Sequence, residues 1–263
     1  MKLLFDIGGT HMRLAVSSGG NKLNKQVTAD TPRNFNESLA KFKRLAKELA
    51  NNQKISITVG GVPRFTKDKL TFWYTHPVIK ELAKITESKI ILENDSALAA
   101  LGEAVFGAAQ KEKIVGYLTF GTGFGGARIV NKQIDANYFG FEPKLQIANY
   151  DPKTDKAPSL SLFVSGRGIS NRYHTQEQNI TDKKTLNEIE SWMKVAVNNA
   201  AVFWSPEIIV IGGGVGLDKD FSTQRIQQYI NRRFKNLPHR PKIAKAKLKQ
   251  ESGLMGALAL ANK

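Results

Sequence analysis

The 263-residue chain carries 39 Lys and Arg against 23 Asp and Glu, a formal charge of +16, with 41% hydrophobic residues, 22 Gly and 9 Pro. That length accommodates one large domain or two small ones with a real core; the composition excludes a disordered chain, and no apolar run approaches the roughly 18 to 20 residues of a membrane span. The lack of cysteine excludes disulfides and thiolate metal sites and is read most simply as a cytoplasmic protein, while the acid at Asp6 comes too early for a signal peptide.

More than half of the basic excess lies in residues 219–249, where ten Lys or Arg face a single acid, Asp220. Such a run suits phosphorylated ligands, or is simply a solvated face. Aromatic residues are not interleaved with it as base stacking requires, so nucleic acid is not an expected partner.

From the N-terminus, residues 2–7 read as a buried strand, Gly8-Gly9-Thr10 as a tight turn and residues 11–17 as the returning strand of a hairpin. Glycine lets a backbone approach phosphate oxygens closely, so this turn is a candidate phosphate cradle. Asp6 beside it would repel phosphate unless a cation intervenes, which makes it a candidate partner of hydrated Mg²⁺. A third strand is expected at 22–28, then a helix at 36–51. Asn34 and Glu37 have capping-box spacing, and Leu39, Phe42, Leu45, Ala46 and Leu49 form its apolar stripe. A strand at 55–59 is expected to end in a turn at Gly60-Gly61-Val62-Pro63, followed by a short helix at 77–86. The strand Ile90-Ile91-Leu92 runs through Glu93-Asn94-Asp95 into a small-residue helix at 96–106, which puts Asp95 where strand hands over to helix.

The next strand, 114–120, ends in Gly121-Thr122-Gly123-Phe124-Gly125-Gly126. These glycines match a dinucleotide fingerprint by spacing, but such a turn must open a helix, and Ala127-Arg128-Ile129-Val130 reads as a strand. The turn therefore belongs to a second hairpin. It shares its order of glycine turn, arginine and apolar strand with Gly9-Thr10-His11-Met12-Arg13, which suggests a duplicated fold with phosphates clamped between its halves. Residues 135–159, with Pro143, Pro152 and Pro158, read as a long loop suited to specificity residues, and Ser165-Gly166-Arg167-Gly168 as a turn or helix start. A long helix is expected at 185–204, with Leu186, Ile189, Met193, Ala196, Val197, Ala200 and Phe203 facing the core. A buried strand at 208–211 leads into Gly212-Gly213-Gly214-Val215-Gly216, an edge over which a nucleotide can lie. A basic helix near 223–234, a strand at 242–248 and a small-residue helix at 253–262 complete the chain. Alternating strands and helices imply a parallel or mixed sheet covered by helices, with Asp6, Gly60, Asp95 and Gly121 at the carboxyl ends of strands where ligands gather. The chemistry this suits is phosphoryl transfer.

Taken together, Asp6-Ile7-Gly8-Gly9-Thr10, Glu93-Asn94-Asp95-Ser96-Ala97, Ala99-Ala100-Leu101-Gly102-Glu103, residues 121–126, Ser165-Gly166, Ile211-Gly212-Gly213-Gly214 and Gly256-Ala257 resemble, in their joint order, the ROK family of the actin/hexokinase/Hsp70-like ATPases. The resemblance covers nearly the whole chain. It implies an α/β fold of two actin-like (ribonuclease H-like) lobes with an interlobe cleft, residues 1–108 with the C-terminal helix 252–263 forming one and 109–251 the other. It also implies an ATP-dependent, glucokinase-like sugar kinase acting on a hexose or N-acylhexosamine, and suggests a homodimer. Carried onto matching positions, Asp95 is the base that accepts the proton of a sugar hydroxyl, Asn94 binds the ring and Gly61 lines the substrate site. Gly8, Gly9 and Thr10 with Gly121, Thr122 and Gly123 hold ATP phosphates, Asp6 lies near Mg²⁺ through water, and Gly213 and Gly214 border the adenosine.

This sequence departs from the family at the sugar-recognition loop. Glu142-Pro143-Lys144-Leu145 keeps the acid of the family's Glu-x-Gly-His but not the histidine, and no zinc-binding cysteines follow, so zinc is not expected. Ser161 stands where a further sugar-contacting glutamate is expected, which leaves Glu142 as the candidate for sugar hydroxyls. Asp6 leaves no room for the N-terminal DNA-binding segment of the regulatory members. Two alternatives stay open: a degenerate member that binds sugar or nucleotide without catalysis, and a polyphosphate-dependent hexokinase, the latter motivated by the basic run.

Overall fold

The computed structural model describes residues 1–63, 78–138 and 140–263, and in it the chain falls into two units, Met1–Val105 with Glu251–Lys263, and Phe106–Gln250. In the first unit β1 (Lys2–Ile7) buries Leu3, Leu4, Phe5 and Ile7, so apolar side chains on both of its faces are covered. A strand of that character belongs at the centre of a sheet. The order is β3-β2-β1-β4-β5, with β2 (His11–Ser17) and β3 (Lys25–Asp30) antiparallel and β4 (Ile57–Val62) and β5 (Lys89–Asn94) parallel. Helix α1 (Phe35–Ala50) starts where expected, because the Asn34 side chain accepts from the amides of Asn36 and Glu37. Its stripe of Phe42, Leu45, Ala46 and Leu49 is buried, with Leu39 packed beside them. Helix α2 (Val78–Thr86) matches the short helix expected there, and Pro77 lies outside the described residues.

The second unit repeats the plan. Strands β6 (Ile114–Phe120), β7 (Phe124–Val130) and β8 (Gln133–Ile134) form the antiparallel part, and β9 (Ile208–Gly212) and β10 (Lys242–Lys245) the parallel part, in the order β10-β9-β6-β7-β8. Duplication is thus present in the topology. The arginines that hinted at it are not equivalent, since Arg13 sits opposite Asp6 beside its turn and Arg128 opposite Gly116, far from its own.

Two expectations need correction. Gly60 and Gly61 do not end β4 in a turn but lie inside it, where each gives way to a neighbour: a Cβ on Gly60 would fall 2.3 Å from the Phe5 ring, and one on Gly61 2.9 Å from the Asp95 Cα. Phe203 does not join the core stripe of the long helix (Lys183–Trp204) and is 78% exposed. The last turn of that helix instead buries Ala201 and lays Trp204 over Gly116 and Gly126, edge-on to Phe141. Elsewhere the basic run is partly consumed by structure. Arg225 joins Lys194 of the long helix on the buried Glu190, Lys242 binds Glu112, and Lys245 donates to the carbonyls of Leu217 and Asp218. Among the described residues no helix is long and apolar enough to cross a membrane.

Helix α3 (Asp95–Val105) and the C-terminal helix (Ser252–Ala261) close the first unit through glycine. A Cβ on Gly102 would lie 2.2 Å from the Ser252 carbonyl oxygen, and one on Gly256 1.7 Å from that of Leu98. The buried Glu103 accepts from the Ser252 hydroxyl at 2.8 Å and fixes the register of the pair. Neither backbone can retreat without opening a close-packed core. Gly256→Ala is therefore expected to cost about 3 kcal/mol, the upper end of the usual overpacking range, read as a lowered urea midpoint.

Candidate active site

The parallel strands of the first unit bring the chemistry-bearing residues to one level. Asp6 on β1 is in register with Gly61 on β4, which is in register with Glu93 on β5, so Asn94 and Asp95 follow at the carboxyl end. Asp95 opens helix α3, and its Oδ1 accepts from the Ser96 amide at 2.7 Å and from the Ser96 hydroxyl at 3.3 Å. Asn94 acts as a cap: its Oδ1 accepts from the Ala97 amide at 3.1 Å, which leaves its NH₂ as the group that can donate to a hydroxyl. Gly61 is buried beneath the Asp95 backbone and is needed for that close approach, so it supports Asp95 rather than presenting a surface of its own.

Asp6 is the strained member of the group. Burial, and next the charge of Asp95, push its pKa up to about 7 from an ordinary 3.8, while Arg13 acts the other way. The Arg13 guanidinium lies 3.8 Å from Asp6 Oδ2, and its buried Nε has no hydrogen-bond partner. Underneath, Gly253 in the first turn of the C-terminal helix makes room for the carboxylate; a Cβ there would fall 2.6 Å from Asp6 Oδ2. Two facing carboxylates and an orphaned guanidinium nitrogen fit a site completed by a cation and phosphate oxygens. Among the described residues no three His, Cys, Asp or Glu cluster to hold a metal by protein ligands alone. Hydrated Mg²⁺, held through one or two carboxylates and a substrate's phosphates, asks for no such cluster.

The two glycine turns differ in how they are used. In the first, the Gly8 amide donates to His11 O at 2.8 Å, and Thr31 locks the turn through Thr10 O and Gly8 O. Gly8 thus offers room rather than a donor, with Gly9 and Thr10 exposed beside it. In the second unit Gly121 donates to Gly123 O, and the first turn of the helix Gly166–Tyr173 docks there, Gly166 N–H on Gly121 O and Arg167 N–H on Thr122 O. Gly213 is obligatory, with φ +82 and a Cβ position 2.4 Å from the Phe120 carbonyl. Gly123 and Gly214 are different: neither has a positive φ, and a Cβ on either meets nothing within 4 Å. No demand of the fold explains these two glycines, and the open space above them fits a nucleotide's approach.

Glu142 stands at the head of a 3₁₀ turn, Pro143–Leu145, with Lys144 Nζ 3.2 Å from its Oε2. Leu145, in place of the family's histidine, is 66% exposed. Ser161, in place of the expected glutamate, opens a short helix and reaches the Ser165 hydroxyl at 3.4 Å. Residues 147–159 are not a featureless loop. They form a small arm closed by bridges Ile147↔Ser159 and Asp151↔Lys156, with Asp151 accepting from the Lys153 amide and the Thr154 hydroxyl.

Two members of the constellation escaped the sequence reading. Arg13 was legible in principle, because a hairpin turning at Gly9-Thr10 pairs it with Asp6. Gly253 was not, since nothing near it in the chain marks a contact with the first strand.

A carboxylate-bearing α/β unit and a glycine-bearing unit of the same topology define an α/β protein of the actin-like class. The chain belongs to the ROK family, whose model matches residues 3–263. It is 27% identical over 299 residues to an N-acetyl-D-glucosamine kinase of Histophilus somni, covering 97% of each. To a glucokinase of Streptomyces coelicolor it is 22% identical over 306 residues, covering 97% of this chain and 96% of the other. Its fold is similar to that of a ROK family glucokinase from Streptomyces griseus in complex with glucose and AMPPNP, with a TM-score of 0.79, 19% identity and 98% of each chain covered.

Two outcomes follow from this geometry. If a nucleotide approaches Gly123, Gly123→Ala is expected to weaken AMPPNP binding about tenfold in titration calorimetry, with the urea midpoint unchanged or slightly raised, since the added methyl meets no protein atom within 4 Å. The second concerns pH. With a folded-state pKa near 7 against 3.8, Asp6 keeps a proton in the folded protein that the unfolded chain releases; the resulting stabilisation is complete below about pH 3.8 and is lost as pH rises through about 7. Asp6→Asn removes this titration, so in ligand-free protein its stability relative to the parent should rise between about pH 4 and pH 8, by up to on the order of 4 kcal/mol, read by urea unfolding at both ends.

Proposed function

We propose that the protein is a sugar kinase that transfers the γ-phosphoryl group of ATP to a hydroxyl of a hexose or N-acylhexosamine. The observation that carries this most is the setting of Asp95, a half-buried carboxylate at the first position of α3, oriented by Ser96 and beside a second carboxylate at the carboxyl edge of the same sheet. Membership of the ROK family, and the names of relatives that act on glucose and N-acetylglucosamine, support the same substrate class.

In this reaction the sugar hydroxyl oxygen forms a bond to the γ-phosphorus as the bond from that phosphorus to the bridging oxygen breaks, and ADP leaves with the electron pair. The hydroxyl proton passes to Asp95. Phosphoryl transfer of this kind asks for position and charge neutralisation more than for covalent chemistry, so a single carboxylate base suffices. Asn94 donates its amide to a ring hydroxyl, and Glu142 accepts from others. Asp6 is the group through which Mg²⁺, bound by way of water, would be held, and that ion would offset phosphate charge. Gly8, Gly9 and Thr10 with Gly121, Thr122 and Gly123 give the triphosphate room, and Gly213 and Gly214 border the adenosine.

Assays with ATP or polyphosphate against glucose, mannose, N-acetylglucosamine and N-acetylmannosamine test this directly. Asp95→Ala is expected to lower kcat about 10³-fold, within the range for loss of a general base, while AMPPNP affinity changes less than about threefold. No turnover of any sugar by the parent protein, with nucleotide still bound, would leave a binding protein rather than a kinase. Turnover by Asp95→Ala at the parent rate would remove Asp95 as the base.

A further inference from the structure

The Glu142 side chain is only 12% exposed, and it pairs with Lys144 Nζ, 3.2 Å from Oε2, on a side chain that is itself 27% exposed. A carboxylate drawn this far from water is costly unless a cation or hydrogen bonds compensate. The pair is built by the backbone. Pro143, buried at the first position of the 3₁₀ turn, fixes its own φ, and the amides of Leu145 and Gln146 close the turn on the carbonyls of Glu142 and Pro143 at 3.0 and 3.1 Å. The returning arm then anchors it from outside. The Ser159 hydroxyl donates to Lys144 O, the Leu160 amide to Gln146 O at 2.8 Å, and the Asn199 amide to Gln146 Oε1 at 3.1 Å. Lys144 therefore projects from a fixed root, while Leu145 turns to solvent.

We infer that Lys144 is a positioning residue for sugar recognition. By engaging Oε2 it holds the Glu142 carboxylate in one orientation and presents Oε1 to the sugar hydroxyls, so that side-chain entropy is not lost when the sugar arrives. A flexible glutamate on an exposed turn would have to be ordered by each substrate. This rests on the assignment of Glu142 to the sugar hydroxyls, and the two can be separated.

Glucose and N-acetylglucosamine are titrated calorimetrically into the AMPPNP complex of the full chain and of Glu142→Gln, Lys144→Met, Lys144→Arg and Glu142→Gln/Lys144→Met, with melting temperatures and AMPPNP affinities in parallel. For the sugar bound by the parent, Lys144→Met is expected to weaken affinity about tenfold. Lys144→Arg should restore most of it, and AMPPNP affinity should stay the same throughout. The double variant should bind no worse than Glu142→Gln alone, because the lysine acts only through that carboxylate. Unchanged sugar affinity in Glu142→Gln would overturn the assignment of Glu142 and this proposal with it. Weakened binding in Glu142→Gln but not in Lys144→Met would overturn the proposal alone. If Lys144→Met and Lys144→Arg both lower the melting temperature and weaken nucleotide and sugar alike, the lysine serves the fold only and the proposal fails.

Discussion

Keeping the Asp6 carboxylate out of water is the constraint around which the first unit is arranged. The acid sits near the end of a central strand, level with Gly61 and Glu93 on its parallel neighbours, with Asp95 adding repulsion and Arg13 offsetting part of it. A group in that position costs stability once ionised. The cost makes physical sense if the site is completed by a ligand that brings positive charge, because what destabilises the empty site then becomes affinity for the occupant. Asp95 shares the arrangement and sits at the start of a helix, where a negative charge is favoured by the helix dipole. Two carboxylates on one sheet edge thus meet different surroundings.

Glycine does two jobs here, and the space around each residue separates them. Gly60, Gly61, Gly102, Gly253 and Gly256 are demanded by packing, since a methyl group on any of them would collide with a ring, a backbone or the Asp6 carboxylate. They let strand β4 pass under Phe5 and Asp95, and let the C-terminal helix lie directly on α3 and beneath Asp6. Gly123 and Gly214 are demanded by nothing in the protein. Glycines of the first kind hold the Asp6 and Asp95 carboxylates in place within the first unit; those of the second kind leave open space over the glycine-bearing sheet of the second unit. The turn at Glu142 follows a third logic, in which a proline, a lysine and the arm 147–159 surround one glutamate.

By itself the sequence determined most of the elements and the class of chemistry. Apolar periodicity located β1, β2, β6, β9 and α1 closely, because these segments are long enough for burial to dominate their pattern. The strand after the second glycine turn made it a hairpin rather than a dinucleotide fold, and the duplicated order of strands followed. Asp6, Asp95 and the glycine turns were legible because each combines an unusual residue type with an element boundary. What the sequence missed or misread depended on contacts between segments far apart in the chain. Gly60 and Gly61 read as a turn because local propensity does not register a phenylalanine ring on the next strand. Phe203 read as core because periodicity alone does not fix the edge of a buried stripe, and in the last turn Ala201 and Trp204 take the covered positions. Only the tertiary structure decided that Gly253 floors the Asp6 carboxylate, that Asn94 spends its carbonyl oxygen capping α3, and that Lys144 reaches Glu142. Each of these follows from distance and burial in three dimensions, which no spacing along the chain encodes.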